Sequence, residues 1–249
     1  MTDPVRCHLV VGGDFHDMDF ARLRLLELLA AHDHIRTTVS SDYSATTLID
    51  AADCLLTYTC NVRPTDAQVD SLEQLMARPG ARWFALHGTN AALDLGRPIR
   101  APRVFPRYAA LLGTQFVAHP PIEPYTVTVS PTARSHWFTH GISPFETADE
   151  LYVCEQHGEL TPLLETRWTG TATGFEEAEW PDDDARLVAY LRRYGSGEVL
   201  YLTLGHCRGH FDMRPHTDWW PTVDRGSWEL PVFVELLERG IGWMIGMAP

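Results

Sequence analysis

Histidines follow three predicted strands at the points where those strands end. His16 closes a run that begins with two glycines, His87 precedes Gly88, and His206 follows Gly205. Imidazole suits such positions because it exchanges protons near neutral pH and also binds metal ions. Neighbouring glycines let a ligand approach the backbone closely. A single histidine of this kind is usually a structural hydrogen-bonding group. The convergence of three strand ends predicts a functional pocket that contains at least two of the three histidines.

Because histidine also binds metal ions, a divalent metal site is an alternative interpretation of these residues. Six histidines are candidate imidazole ligands: His16, His87, His119, His206, His210 and His216. The chain has no His-Glu-x-x-His motif and no tight histidine–carboxylate spacing that would require a metal. His206 and His210 are four residues apart, but Gly209 favours a loop over a helix there. The sequence establishes no cofactor, and any metal would be bound by His16, His87 and His206.

A nucleophilic cysteine is the third chemistry to weigh. Cys60 follows a predicted strand and Cys207 adjoins His206. A reactive thiol needs a nearby base or positive charge that stabilises the thiolate, and the sequence shows neither. The five cysteines are odd in number and widely spaced, which argues against a disulfide framework and a zinc ribbon. We expect them to be packing residues.

Strands and helices alternate through the first part of the chain. Short apolar runs predict strands at Cys7–Gly12, Ile35–Ser40, Cys54–Thr59 and Ala81–Leu86. Apolar residues at helical spacing predict helices at Phe20–Ala31 and Thr65–Met76. This alternation predicts a parallel sheet with helices on both faces. Ligands of such sheets bind beyond the carboxyl ends of the strands, where the three histidines lie.

The rest of the chain is predicted to be less regular. Six prolines interrupt residues 98–124, which predicts a loop with one short helix near Tyr108–Leu112. The remaining predicted elements are a strand at Tyr125–Val129, a solvated loop at Glu176–Asp184, a hairpin of Arg186–Tyr194 with Glu198–Leu204, and a helix at Pro231–Ile245. We find no repeat and no linker, so we predict one domain over residues 1–249 with a long central insertion.

Charge and composition argue against several classes of partner. The 249 residues include 33 acidic and 20 basic side chains, for a net charge of −13. Nucleic-acid binding usually needs a basic patch, so we expect neither a nucleic-acid partner nor an anionic membrane surface. A signal-peptide pattern and an apolar run of about 18 residues are both missing, so we expect a cytoplasmic protein. A homo-oligomer stays open.

Six motifs, in one order along nearly the whole chain, resemble those of the ThuA-like (trehalose-utilisation) family. They are GGDFHD at 12–17, LHG at 86–88, G-x-x-F-x-x-H-P at 113–120, HGI-x-x-F-x-x-x-DELY at 140–152, YG-x-G-x-V-x-Y-x-x-LGH at 194–206, and RGI-x-W at 239–243. On these motifs the chain is identified as a member of that family. Glu198 stands where the family usually has arginine, so an anion contact there is in doubt unless Arg193 or Arg208 supplies it.

The resemblance implies a flavodoxin-like α/β fold similar to class I glutamine amidotransferases. The expected architecture is a parallel sheet flanked by helices, with a central insertion and a late β-hairpin. Those enzymes carry a nucleophilic cysteine on the turn after a central strand, where this chain has His87. Because imidazole cannot form the glutamyl thioester, the shared scaffold does not imply glutamine hydrolysis. The family name implies metabolism of trehalose, related disaccharides or their 3-keto derivatives.

Three functions remain open at this point, each with a small sugar as ligand. The first is a sugar isomerase, epimerase, lyase or hydrolase in which His87 and His16 exchange protons while His206 orients the substrate. The second is metal-assisted chemistry at the same histidines, and the third is a non-catalytic sugar-binding or regulatory protein. The candidate substrate-binding residues are Asp17, Thr89, Asn90, His119, Glu150, Tyr152 and Arg208.

Overall fold

Strands contribute more residues than helices to the computed structural model, which describes residues 3–247. In chain order the strands are β1 Val5–Gly13, β2 Ile35–Ser40, β3 Cys54–Cys60, β4 Arg82–Leu86, β5 Thr114–Ala118, β6 Tyr125–Val129, β7 Phe145–Thr147, β8 Val153–Gln156, β9 Thr161–Arg167, β10 Gly170–Thr171, β11 Glu179–Trp180, β12 Ala185–Tyr194 and β13 Gly197–Leu202. The α-helices are α1 Met18–Ala30, α2 Thr46–Ala51, α3 Asp66–Met76, α4 Pro106–Leu112 and α5 Pro231–Met244. Single turns of 3-10 helix lie at His87–Asn90, Pro131–Ala133 and Gly226–Glu229.

Within the described residues, nine strands form one sheet in the order β2-β1-β3-β4-β13-β12-β9-β6-β7. The first five of these are mutually parallel. The other four extend the sheet by antiparallel pairing. The order of the parallel strands reverses at β1, so the crevice next to β1 and β3 is the topological switch point at which such sheets bind ligands. The predicted flavodoxin-like α/β fold is confirmed.

Helices cover both faces of the sheet. Leu25 of α1 and Leu236 of α5 belong to the core on one face, and Leu72 of α3 and Leu111 of α4 belong to the core on the other. Helix α3 begins one residue later than predicted because Thr65 is its N-cap, with its side chain accepting from the Gln68 N–H in a capping box. Among residues 3–247, no helix has both the length and the apolar composition needed to span a membrane.

The central part of the chain differs most from the prediction. Residues 98–124 were expected to be a loop with one helix, but they also contain β5, and the expected loop at Glu176–Asp184 contains β11. All residues of β5 are buried, so it lacks the alternation of apolar and polar residues that marks a half-exposed strand. Helix α2 was also not predicted. The insertion is therefore not a separate loop region, because β6, β7 and β9 join the main sheet while β5 pairs with β8.

Two glycines of α5 provide a matched test of this packing. A Cβ at Gly240 would overlap the buried Phe84 ring of β4, whereas a Cβ at Gly242 would meet nothing within 4 Å. We expect Gly240→Ala to lower the free energy of unfolding by about 1–3 kcal/mol through overpacking. Gly242→Ala should raise it by several tenths of a kcal/mol because alanine is the better helix former. Urea unfolding of both variants measures the difference, and equal effects would contradict the packing of α5 on β4.

Candidate functional site

Three histidines meet at the carboxyl edge of the parallel strands. His16 follows β1, His87 follows β4 and His206 follows β13, and these strands end at the same edge of the sheet. The Nε2 atoms of His16 and His87 are 2.7 Å apart, and the ring centroids of His16 and His206 are 5.2 Å apart. All three side chains are buried. The structure therefore brings together the three histidines that the sequence placed after strand ends.

The backbone that delivers these side chains is strained. Phe15, Asn61 and His87 have positive φ angles of 70°, 57° and 46°, and they follow β1, β3 and β4 respectively. Non-glycine residues seldom adopt this conformation, and such strain concentrates at functional sites. Gly88 lets the turn after β4 close onto β3, since a Cβ there would lie 2.8 Å from the carbonyl oxygen of Thr59. The close approach of these loops thus depends on a residue without a side chain.

Backbone carbonyls fix the tautomers of two of the imidazoles. Nδ1 of His87 lies 2.8 Å from the Thr203 carbonyl oxygen, and Nδ1 of His16 lies 3.2 Å from that of Asp14. A carbonyl only accepts, so each Nδ1 carries the hydrogen and donates it. In a neutral imidazole the other nitrogen, Nε2, is then an acceptor. The two Nε2 lone pairs consequently face each other across 2.7 Å.

A buried carboxylate joins these imidazoles. Oε2 of Glu150 is 3.4 Å from Nε2 of His87 and 3.6 Å from Nε2 of His16. Oε1 is 3.1 Å from Nδ1 of His206 and 3.3 Å from Nη2 of Arg208. A buried carboxylate needs such partners because it has lost its hydration. We call His16, His87, Glu150 and His206 the histidine–glutamate centre.

Burial and charge act against each other on the titrating groups of the centre. Burial alone would raise the pKa of the Glu150 carboxyl, but the positive charges of His206 and His119 hold it well below its ordinary value. Burial lowers the pKa of His16 to about 3. Burial also opposes protonation of His206, but Glu150 and Asp224 outweigh it and raise the pKa of His206 to about 9. At neutral pH, His16 is thus neutral and Glu150 is ionised beside a protonated His206.

His16 and Glu150 of the centre line a cavity of about 560 Å³, which we call the main cavity. This volume lies in the range of small-molecule sites. Its polar lining includes His16, His119, Glu150, Tyr152 and Arg208. Its apolar walls include Phe15, Leu93, Ile99, Phe116 and Phe175. A second cavity of about 710 Å³ reaches His119, Glu150, His206 and Arg208 from another side, next to Asp224.

Comparison with known proteins shows which family the chain belongs to. Residues 9–218 match the family described as ThuA, trehalose utilisation. The chain belongs to the ThuA family. A search of curated proteins finds no match.

Solved structures share the fold of this ThuA-family protein at low sequence identity. A putative ThuA-like protein from Parabacteroides merdae is 14% identical, with a TM-score of 0.67 over 98% of this chain and 90% of that one. Another from Bacteroides uniformis is 16% identical, with a TM-score of 0.68 over 98% and 93%. A β-galactosidase from Rahnella sp. R3 is 12% identical, with a TM-score of 0.53 over 81% of this chain and 29% of that one. At these identities the likeness is one of fold.

His87 lies behind residues that line the main cavity of this ThuA-family protein. Its side chain is fully buried, and its Nε2 contacts His16 and accepts a hydrogen bond of 3.2 Å from the Tyr152 hydroxyl. Both of those partners line the main cavity. His16 and Tyr152 thus lie between the His87 imidazole and the main cavity.

Three predicted substrate-binding residues do not line the main cavity. Asp17 instead caps α1, accepting from the Phe20 N–H, and pairs with Arg225. The Thr89 hydroxyl donates to the Leu86 carbonyl at 2.7 Å. The Asn90 amide donates to the Thr114 hydroxyl at 2.6 Å. Their side chains hold the loops around the centre in place, while the predicted residues His119, Glu150, Tyr152 and Arg208 do line the cavity.

The other candidate residues fall outside the centre. Nδ1 of His210 donates to the Trp220 carbonyl, and its segment is not helical. His216 lines the main cavity at a distance from the centre. Cys60 also lines the cavity, but burial raises its thiol pKa well above the usual range, and burial raises that of Cys207 to about 12. Both cysteines therefore stay protonated at neutral pH.

Asp149 has a positioning role that the sequence did not reveal. Its buried carboxylate accepts from the backbone N–H groups of Gly205, His206 and Ser227 at 2.9–3.0 Å. It also accepts from the Ser227 hydroxyl at 2.7 Å. These bonds tie the His206 loop to the segment that carries Glu150. The one available signal was its place beside Glu150 in the DELY motif.

We expect Asp149→Ala to lower the free energy of unfolding by about 3 kcal/mol. The substitution leaves several buried N–H groups without an acceptor, and each such loss costs about 1–3 kcal/mol before relaxation. Chemical denaturation measures the change. Asp50→Ala is the control because Asp50 is exposed on α2, where replacement should change stability by less than about 0.5 kcal/mol. Similar stabilities for the two variants would contradict the role assigned to Asp149.

Proposed function

We propose that this protein is an enzyme of sugar metabolism that binds a sugar in the main cavity and transforms it at the histidine–glutamate centre. The observation that carries the proposal is the convergence of three histidines and a buried carboxylate beside a cavity, which His16 and Glu150 line. The cavity lies beyond the carboxyl ends of the parallel strands, where ligands of this fold bind. The family description, trehalose utilisation, supports a sugar as the ligand.

The walls of the main cavity suit a sugar ring. Phe15, Phe116 and Phe175 offer aromatic surface to the C–H face of a pyranose. The Tyr152 hydroxyl, the Arg208 guanidinium and the His119 imidazole can bond ring hydroxyls or a carbonyl oxygen. An apolar wall opposite a few convergent polar groups is typical of small-molecule sites. This division fits a ligand with one apolar face and a polar rim.

The centre offers two components for acid–base chemistry on such a ligand. Arg208 places positive charge next to Glu150, where it can stabilise negative charge that develops on a sugar oxygen. His16 and His119 place imidazoles on the cavity surface, where one can accept or return a proton. Proton removal beside the carbonyl of a keto-sugar, followed by isomerisation, epimerisation or elimination, is the reaction that uses both components.

The first test is turnover. The protein should catalyse exchange of a carbon-bound hydrogen, or product formation, when trehalose, related disaccharides or their 3-keto derivatives are incubated in D2O and followed by NMR. His16→Ala and Glu150→Gln should each lower the rate by about 10²- to 10⁴-fold, the usual contribution of acid–base groups. His140→Ala, at an exposed histidine, is the control. Binding without exchange or products would favour the regulatory alternative, and unchanged rates in both variants would refute the assignment of the centre.

The second test is binding. We expect Phe175→Ala to weaken sugar affinity by about fivefold, because the loss of one aromatic platform removes roughly 1 kcal/mol. Isothermal titration calorimetry with the sugar that gives the largest thermal shift measures the change. Phe211→Ala is the matched control, since Phe211 is an exposed phenylalanine that does not line the main cavity. Equal losses in both variants would show that the sugar binds elsewhere.

A further inference from the structure

We propose that the histidine–glutamate centre is a binding site for one divalent transition-metal cation. The ligands would be Nε2 of His16, Nε2 of His87 and Oε2 of Glu150, with His206 as the fourth. Each of the four residues offers one ligand atom, and these atoms all lie within 4.8 Å of one another. All four residues are buried. The inference deepens the proposed function, on which the chemical role of the cation rests, but the site itself can be tested without a sugar.

The facing lone pairs of His16 and His87 are the first argument. Both Nδ1 atoms donate to backbone carbonyls, so two neutral imidazoles have no hydrogen to place between the Nε2 atoms, which are 2.7 Å apart. The Tyr152 hydroxyl, 3.2 Å from Nε2 of His87, can donate to one lone pair but not to both. A cation would turn this repulsive contact into two bonds. Metal-binding histidines characteristically donate their other N–H to a backbone carbonyl or carboxylate, as these two do.

The spacing of the ligand atoms is the second argument. A tetrahedral ion with bonds of about 2.0–2.1 Å separates its ligand atoms by about 3.3 Å. Oε2 of Glu150 is 3.4 Å from Nε2 of His87 and 3.6 Å from Nε2 of His16. The two Nε2 atoms, at 2.7 Å, would have to move apart by roughly half an ångström to reach the tetrahedral spacing. The two imidazole rings would therefore have to shift slightly to take up the cation.

His206 provides the third, independent argument. Both of its ring nitrogens are buried and neither makes a well-directed hydrogen bond. Nδ1 faces Glu150 at 3.1 Å, and Nε2 faces Asp224 at 3.9 Å. A buried imidazole in which neither nitrogen makes a well-directed hydrogen bond is unusual in a folded protein. With a cation on Nδ1 and the Nε2 hydrogen directed at Asp224, both nitrogens would be satisfied.

The donor set indicates the class of cation. Three imidazoles and one carboxylate suit Zn²⁺ and its neighbours in the first transition row, whereas Ca²⁺ and Mg²⁺ prefer all-oxygen sites. Arg208 contacts Oε1 of Glu150 and leaves Oε2 to the cation. His16 and Glu150 also line the main cavity, so a sugar oxygen could add to the cation as a fifth ligand and be polarised by it. His119 would then be the imidazole on the cavity surface that remains free to exchange a proton.

The test uses full-length protein purified without a histidine tag and freed of metal with a chelator. Titration with Zn²⁺, followed by calorimetry and elemental analysis, should show one equivalent per chain. Co²⁺ bound in its place should give the intense visible absorption of a tetrahedral site. His87→Ala and Glu150→Gln should each weaken Zn²⁺ binding by at least about 100-fold. His8→Gln is the matched control, because His8 is a buried histidine whose two nitrogens contact the hydroxyls of Thr38 and Ser40.

Three outcomes would overturn the proposal: no stoichiometric uptake by the folded protein, a Co²⁺ spectrum without tetrahedral absorption, or uptake that His87→Ala and Glu150→Gln leave unchanged. Circular dichroism checks that each variant is folded. If His87→Ala does not fold, Glu150→Gln and the Co²⁺ spectrum still decide. Zinc uptake without sugar binding would keep the site and refute the proposed function. Sugar turnover by the metal-free protein would keep the proposed function and refute the chemical role of the cation in it.

Discussion

An ionised carboxylate inside a protein is stable only when nearby groups replace the water that it has lost. Glu150 has this requirement, since it is 3% exposed and its pKa lies well below the ordinary value. Its partners come from separate parts of the chain: His16 after β1, His87 after β4, His119 after β5, and His206 and Arg208 after β13. The loops that carry them must all be in place before the charge is compensated. The parallel strands make this feasible because they end at one edge.

Two consecutive carboxylates divide the tasks of this region. Asp149 faces backbone N–H groups and fixes the His206 loop, whereas Glu150 faces side chains and the main cavity. Asp149 lies at a bend of the chain, outside the strands, and the two adjacent carboxylates contact different groups. The hydrogen bonds that Asp149 accepts from Gly205 and His206 hold the loop that bears His206. His206 in turn contacts Glu150. The chemistry of one residue therefore depends on the rigidity supplied by its neighbour.

The sequence predicted the parallel core and the position of the histidines well, because both follow from local patterns. Apolar runs placed β1 to β4 within two residues of their bounds, and parallel strands necessarily bring their ends together. Four of the predicted substrate-binding residues line the main cavity: His119, Glu150, Tyr152 and Arg208. The supporting roles of Asp17 and Asn90 could not be predicted, since they depend on Arg225 and Thr114, which are distant in the chain. The aromatic walls formed by Phe15, Phe116 and Phe175 could not be predicted either, because these residues are far apart in the sequence and meet only in the folded chain.

The position of His87 restricts the reactions that this scaffold can perform. The residue after β4 has a strained φ of 46°, yet its imidazole turns inward against His16 and Tyr152 and is fully buried. A side chain in that place cannot attack a substrate in the main cavity, since other residues lie between them. Its Nδ1 hydrogen is committed to Thr203, so its one free function is the Nε2 lone pair. His87 can therefore take part in chemistry only through what its Nε2 lone pair binds. That is either a proton shared with His16 or a cation shared with Glu150.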